Sequence, residues 1–287
     1  MADRARSFAG NAPGSFFVDR TCIDCGTCYQ FAPETFRDAG EHSLVHRQPE
    51  KDEARLRAAM ALVSCPTASI GSEDKATVAE AAKAFPHFLT EDVAFCGYTS
   101  EKSFGAWSWL LKRSEGNVLM DSPRAAAPLL KGLEAQGGVS MMVLSHRDDV
   151  ADHARIAEHF DCPRVAHAAE GLTWAERQIE GEDPVALAED LLLIPTPGHT
   201  AGSQCLLFRN TYLFTGDHLW WNPQAGRLSA SRSFNWHSWS RQLESLEKLL
   251  AFEFTWVLPG HGSTCHRENP GAMRAELERA LKILRAL

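Results

Sequence analysis

The sequence lacks any apolar run that approaches the roughly 20 residues needed to cross a membrane. Basic residues are also in short supply, because 29 lysines and arginines are set against 37 aspartates and glutamates, which gives a net charge of −8. That charge has the wrong sign for a protein that neutralises a phosphate backbone. Residues 1–20 contain no apolar stretch of the kind found in a secretory signal. We therefore expect a cytoplasmic protein that binds neither nucleic acid nor membrane.

The length and composition indicate two folded domains. A chain of 287 residues is about twice the length of a typical domain. Hydrophobic residues make up 44% and charged residues 23%, which is ordinary for a globular protein. A polar patch at residues 71–75 separates a short cysteine-bearing segment from a longer region in which strand-sized apolar runs alternate with helical patterns. The predicted domains are residues 1–75 and 76–287.

Helix signals are clear at several positions. Apolar residues recur at helical spacing in residues 53–62, 150–160 and 238–250. Asn269 followed by Pro270 is typical of an N-cap and first helical position, so a last helix is predicted to begin there. The region after residue 85 is therefore expected to be an α/β domain with many strands.

Four of the eight cysteines form a motif. Cys22, Cys25 and Cys28 are separated by two residues each, and Cys65 precedes a proline, whereas the other four are scattered. Three thiolates on one tight loop, with a fourth from elsewhere, suit an iron–sulfur cubane. A zinc site with four cysteine ligands is the alternative, although zinc sites usually pair two C-x2-C motifs. We expect these four cysteines to bind a 4Fe–4S cluster.

This segment, from about residue 16 to residue 70, resembles a single-cluster bacterial ferredoxin. The resemblance includes the run FAPETF after the third cysteine. It implies a small α+β ferredoxin-like domain at the start of the chain.

Histidines and aspartates follow four strand-like runs, in loops that contain glycine or proline. The loops are residues 145–153, 195–203, 215–218 and 259–262. Loops at the rim of an α/β scaffold are where site residues usually lie. One loop histidine alone would be read as a solvated side chain, but four such loops indicate a metal site.

This set of loops resembles the metallo-β-lactamase superfamily, and the resemblance spans roughly residues 85–287. It implies an α/β fold, namely an αβ/βα sandwich with a two-metal site at one edge. The ligands implied by the resemblance are His146, Asp148, Asp152, His153, His199, Asp217 and His261. Among them, Asp217 matches the aspartate that bridges both metals.

The chain departs from the family signature H-x-H-x-D-H at one point. Asp148 stands where the second histidine belongs, and the gap to Asp152 and His153 is two residues longer than usual. Either Asp148 or Asp149 supplies an oxygen in place of the imidazole, or both are cap and first-turn residues of the 150–160 helix. Because a carboxylate is a harder donor than imidazole, the replacement shifts preference from zinc toward iron or manganese.

The resemblances imply a dinuclear metal-dependent hydrolase of a small-molecule substrate, with an accessory 4Fe–4S domain. The expected cofactors are the cluster and two divalent metal ions, which are zinc or iron, with manganese as a third option. Asp152 or Asp217 would then accept the proton released from water. The alternative is a diiron oxidoreductase that receives electrons from the cluster and reduces oxygen, nitric oxide or another small acceptor. Under that alternative we expect the protein to bind an electron-transfer partner or to form a homodimer. A third interpretation is an iron–sulfur module without catalysis, which the near-complete ligand set disfavours.

Replacing Cys25 by serine tests the cluster motif. Cys25→Ser removes one thiolate ligand, so the protein is expected to lose its brown colour and its acid-labile sulfide. Cys162→Ser, at a cysteine outside the motif, is the matched control and keeps both. Visible absorbance measures the colour, and chemical analysis measures the acid-labile sulfide of both variants. A fully coloured Cys25→Ser protein would show that the ligand set is wrong.

Overall fold

The computed structural model describes residues 2–287 of the chain. These residues contain seven α-helices: α1 (Thr27–Phe31), α2 (Asp52–Ser64), α3 (Lys75–Ala81), α4 (Ala127–Ala135), α5 (His153–Phe160), α6 (Trp239–Lys248) and α7 (Pro270–Leu284). Short 3-10 helices lie at Arg4–Arg6, Glu101–Ser103, Ala168–Glu170 and Leu249–Ala251. Within the described range, no helix combines the length and the apolar character that crossing a membrane requires.

The β-strands are short and are numbered along the chain. The first eight are β1 (Phe17–Val18), β2 (Phe36–Asp38), β3 (Ser43–Val45), β4 (Ile70–Gly71), β5 (His87–Phe88), β6 (Val93–Phe95), β7 (Trp109–Leu111) and β8 (Val118–Met120). The others are β9 (Met141–Val143), β10 (Arg164–His167), β11 (Arg177–Ile179), β12 (Val185–Ala188), β13 (Leu191–Pro195), β14 (Gln204–Phe208), β15 (Tyr212–Gly216), β16 (Trp220–Asn222), β17 (Arg227–Ser229), β18 (Trp256–Pro259) and β19 (Cys265–His266).

The chain falls into two compact units. The first unit is the chain up to Ser140 together with Val150–Cys162, and the second unit is Met141–Asp149 together with Pro163–Leu287. The cysteine motif therefore lies in the first unit, and most of the histidine loops lie in the second. The predicted division into residues 1–75 and 76–287 stays a prediction.

The first unit combines two small strand pairs with an antiparallel meander. Strand β1 pairs with β4, and β2 pairs with β3, both antiparallel. Strands β5, β6, β7 and β8 pair in sequence order, also antiparallel. Phe31 of α1 lies 5.5 Å from Phe95 and 6.2 Å from Trp107, between ring centroids. Phe31 therefore joins the cysteine-bearing segment to the meander by aromatic packing, which stabilises the first unit.

The second unit contains the antiparallel pair β16–β17 and two larger groups of paired strands. In one, β10 is parallel to both β9 and β11. In the other, the order is β12-β13-β14-β15-β18-β19, and all pairs are antiparallel except β15 with β18. Fully buried side chains of this sheet, such as Leu213 and Val257, form one core cluster with Leu246 of α6 and Leu277 of α7. Each such leucine contributes about 1.5–3 kcal/mol on burial, so α6 and α7 are held against the sheet.

The strongest helix predictions are confirmed. Helix α7 begins at Pro270, and Asn269 Oδ1 accepts a hydrogen bond from the Ala272 N–H, as an N-cap does. Helix α5 is different, because it begins at His153 and not at residue 150. The backbone of Ala151 has a φ of 30°, which interrupts a right-handed helix. The interpretation of Asp148 and Asp149 as cap or first-turn residues of this helix is therefore wrong.

Helix α6 packs directly on the loop that follows β13. The Ser238 N–H donates to the Gly198 carbonyl at 3.0 Å, and Ser238 is the N-cap of α6. A Cβ at Gly198 would lie 2.3 Å from Gln242 Cα, far inside contact distance. The residue before His199 is therefore glycine because the backbone of α6 occupies the space of a side chain.

Gly198→Ala tests this packing. The added methyl group would push α6 away from the loop, and overpacking of this kind costs about 1–3 kcal/mol of unfolding free energy. Gly226→Ala is the control, since nothing lies within 4 Å of a Cβ there. Chemical denaturation measures both variants. Equal stability of the two would contradict the close approach at Gly198.

Candidate metal centres

The four motif cysteines line a single cavity in the first unit. The cavity measures about 300 Å³ including its mouth, and Cys22, Cys25, Cys28 and Cys65 all border it. Cys28 and Cys65 are buried, and the other two are partly buried. The structure therefore brings together the four residues that the sequence motif predicted, although Cys65 comes from the end of α2 and the other three from the loop around α1.

Backbone amides are directed at two of these sulfurs. The Ser43 N–H donates to Cys22 Sγ at 3.4 Å, and the Ser69 N–H donates to Cys65 Sγ at 3.3 Å. Such hydrogen bonds stabilise the negative charge of an iron–sulfur cluster. Four thiols on one cavity with amide donors behind them are a donor set that fits a 4Fe–4S cluster.

Burial keeps the metal-free thiols protonated. It raises the pKa of Cys25 to about 11, and it also raises the pKa values of Cys22 and Cys28. Thiolates are the form that binds iron, so cluster assembly must displace these protons.

Gly105 packs against one of the motif cysteines, and sequence analysis missed it. A Cβ at this position would lie 2.8 Å from Cys25 Sγ, and Thr27 Oγ1 donates to the Gly105 carbonyl at 3.1 Å. Gly105 is far from the motif in sequence and belongs to no pattern of its own. Only the folded structure shows that Gly105 lies beside Cys25.

The second centre lies in the second unit and begins at the ends of strands. His146 follows β9, His199 follows β13, Asp217 follows β15 and His261 follows β18. One ligand atom each from His146, Asp148 and His199 lies within 4.8 Å of the others. These atoms converge as a metal site requires.

Two imidazole nitrogens point into this group without a partner. Among residues 2–287, neither His146 Nε2 nor His199 Nε2 has a hydrogen-bond partner, although both side chains are buried. An unsatisfied buried polar atom costs about 1–3 kcal/mol, so such atoms are rare unless they serve a ligand. The donor set therefore fits a metal ion.

The His146 ring is neutral and fixed in orientation. Burial is the main cause that lowers its pKa to about 3; the Asp217 carboxylate opposes this shift, and the neighbouring His199 and His261 add to it. Ser145 Oγ lies 2.9 Å from His146 Nδ1, which leaves Nε2 directed at the site. Neutral imidazole is the form that binds metals.

Asp217 is surrounded by histidines. His261 Nδ1 donates to Asp217 Oδ1 at 2.8 Å, and Nε2 of His146 and of His199 lie 3.8 and 3.9 Å from Oδ2. Burial alone would raise the pKa of Asp217, but the three imidazoles outweigh it and hold the pKa well below its ordinary value. Asp217 is therefore an anion in the folded protein.

Asp149 belongs to a second convergent group. Ligand atoms of His146, Asp149 and Asp217 also lie within 4.8 Å of one another. A Cβ at Gly260 would lie 2.6 Å from Asp149 Oδ2 and 3.0 Å from Asp217 Oδ1. The glycine before His261 thus lets two carboxylates approach the end of β18. Asp148 lies with His146 and His199, and Asp149 lies with His146 and Asp217.

Asp152 and His153 are placed in the first unit, where they begin α5. Asp152 Oδ1 accepts from Lys102 Nζ at 2.8 Å, and Asp152 Oδ2 accepts from the Ala125 N–H at 3.1 Å. Both oxygens therefore have protein donors. The predicted roles of Asp152 and His153 as metal ligands stay predictions.

Comparison with known proteins finds a family model and curated relatives that match parts of this chain. Residues 18–72 match the 4Fe-4S single cluster domain of Ferredoxin I. The hydroxyacylglutathione hydrolase of Citrobacter koseri is 29% identical over 148 residues, which are 50% of this chain and 56% of that protein. The chain thus spans about half the length of the curated relatives that it matches.

Solved structures of metallo-β-lactamases share the fold. The BLEG-1 B3 metallo-β-lactamase superposes with a TM-score of 0.52 at 18% identity, over 67% of this chain and 99% of its own. A metallo-β-lactamase from Pontibacter korlensis gives 0.51 at 16% identity, over 70% and 98%. At these identities the similarity shows the fold alone. Both predicted resemblances are confirmed: the chain joins a single-cluster ferredoxin segment to a metallo-β-lactamase fold.

Gly105→Ala tests the fit of the cluster cavity. The added methyl group would displace Cys25, so we expect lower iron and sulfide content per chain after purification without oxygen. Gly40→Ala is the matched control, because Gly40 also has a positive φ but has nothing within 4 Å of its Cβ position. If Gly105→Ala loads as much cluster as Gly40→Ala, the contact does not matter for assembly.

Proposed function

We propose that the chain is a dinuclear metal-dependent hydrolase of a small molecule, with a 4Fe–4S cluster in its ferredoxin-like segment. The observation that carries this proposal is the convergence of His146, Asp148 and His199 within 4.8 Å, with two unpartnered imidazole nitrogens. Similarity to hydroxyacylglutathione hydrolase supports an acylated thiol as the substrate class to test first.

The two groups of residues suggest how the ions are shared. His146, Asp148 and His199 would hold one ion, and Asp149 and His261 would hold the other, with Asp217 shared between them. When bound, such ions lower the pKa of water and polarise the substrate oxygen. Zinc, iron and manganese all remain compatible with this mixed nitrogen and oxygen donor set.

The protein's own side chains have distinct tasks in this proposal. Asp217 keeps its negative charge and orients His261 by accepting from Nδ1. A carboxylate with a lowered pKa is a weak proton acceptor, which favours a binding role for Asp217 over the predicted role as base. Asp148 is the solvent-facing member of the set, with 48% of its side chain exposed, so substrate is expected to approach from its side.

A diiron oxidoreductase is the second candidate. It is favoured by Asp148, a hard oxygen donor beside His146 and His199, and by the cluster segment in the same chain. Mixing the reduced protein with oxygen or nitric oxide tests it, because reoxidation of the cluster would then be fast and would require Asp217. An electron-transfer partner, a homodimer and a cytoplasmic location stay predictions.

Asp217→Ala tests the leading proposal. Loss of an outer partner of a metal ligand alone costs about 10- to 100-fold in activity, so loss of the shared carboxylate is expected to lower acyl-thiol hydrolysis at least about 100-fold. The cluster absorbance should not change. Asp190→Ala, which breaks a partly exposed pair with Arg209, is the control and keeps wild-type turnover.

Hydrolysis is followed by release of free thiol with a panel of acylated thiols. If Asp217→Ala turns over any of them as fast as Asp190→Ala does, the proposed site does not catalyse that hydrolysis.

A further inference from the structure

Glu170 is a buried carboxylate that the proposed ligand set does not include. It ends the 3-10 helix Ala168–Glu170, directly after β10, and only 1% of its side chain is exposed. Glutamate is almost never fully buried unless it is paired, so its partners show what it does.

The Glu170 carboxylate pairs with the two loops that carry metal-binding candidates. Oε1 accepts from Thr200 Oγ1 and from the Gly202 N–H, both at 2.6 Å. Oε2 accepts from the Arg147 N–H at 3.1 Å. Thr200 follows His199, and Arg147 lies between His146 and Asp148. One side chain therefore ties the loop of His199 to the loop of His146 and Asp148.

The packing around Glu170 leaves little room for another arrangement. A Cβ at Gly202 would lie 2.9 Å from Glu170 Oε1 and equally close to its Cγ and backbone nitrogen. The Thr200 N–H also donates to Ser203 Oγ at 2.9 Å, which closes the same loop on itself. The loop that carries His199 therefore packs against the Glu170 carboxylate and is also held by a hydrogen bond within the loop.

We propose that Glu170 is a positioning residue that holds His199 at metal-binding distance from His146 and Asp148. The two loops follow strands of different sheets, β13 and β9. The Gln204 N–H donates to the Ser145 carbonyl at 2.9 Å and joins the loops at their bases, and Glu170 joins the segments beside His199 and His146. Without the carboxylate, three donors would compete for other acceptors and the loops would separate more easily. The inference rests on the proposed metal centre but not on the identity of its substrate.

Glu170→Gln tests the role at nearly constant volume. In glutamine, an NH2 group replaces one of the two carboxylate oxygens of Glu170. One of the two loops then faces a donor instead of an acceptor and loses its hydrogen bond to residue 170. We expect the affinity for Co²⁺ at the second centre to fall about 10- to 100-fold. Co²⁺ alone is the probe, added to the cluster-loaded protein after removal of the other metals with a chelator, and affinity is measured by chelator competition.

The electron paramagnetic resonance spectrum of bound Co²⁺ separates positioning from general stability. It is expected to change in Glu170→Gln, because the donor atoms are no longer held in the same arrangement. Glu176→Gln is the matched control, since Glu176 pairs with Arg164 in the same unit and touches neither loop through that pair. It should keep both the affinity and the spectrum.

A second pair of variants covers the case in which Glu170→Gln does not fold. Thr200→Val removes one donor to Glu170 and is expected to weaken Co²⁺ binding, whereas Thr200→Ser keeps the hydroxyl and should restore it. If both affinity and spectrum match wild type in Glu170→Gln or, failing that, in Thr200→Val, the positioning role is wrong. Absence of Co²⁺ binding in wild type would instead contradict the metal centre itself.

Discussion

The Asp217 carboxylate lies among three imidazoles, with His261 Nδ1 at 2.8 Å and with Nε2 of His146 and His199 at 3.8 and 3.9 Å. An isolated buried charge costs several kcal/mol, so this anion requires its neighbours to be held close. Each imidazole follows a different strand, namely β18, β9 and β13. The site therefore depends on three strand ends that the second unit holds close together, and Gly260 leaves room for the Asp149 and Asp217 carboxylates.

Both candidate centres follow the same physical logic. In the first unit, four thiols border one cavity, and burial raises the pKa values of Cys22, Cys25 and Cys28. In the second unit, Nε2 of His146 and Nε2 of His199 are buried and have no hydrogen-bond partner within residues 2–287. Native proteins rarely leave buried polar atoms unsatisfied, so each set marks a place where a metal group replaces water and protein partners. The fold thus buries ligand atoms at each centre, and their burial costs free energy when no metal group is bound.

Much of this arrangement could be predicted from local sequence. The spacing of the cysteines located the cluster segment, and Asn269 with Pro270 located the start of α7 because capping is a local interaction. The sequence left the choice between Asp148 and Asp149 open, and the contacts of Glu170 and Gly105 could not be predicted in this way. Their contacts join residues that are distant in sequence, so no local pattern encodes them. The start of α5 was missed because the apolar pattern does not show that Ala151 adopts a φ of 30°.

The central claim is that one chain holds a 4Fe–4S cluster and a separate metal centre built on Asp217. Metal and acid-labile sulfide analysis of protein purified without oxygen, with Mössbauer spectroscopy, tests it most directly. The account predicts four irons and four sulfides in the cluster and about two further metal ions outside it. Zinc in that second fraction would favour the hydrolase, and iron the oxidoreductase. Cluster iron alone, with no further metal retained after incubation with zinc and iron, would contradict the account.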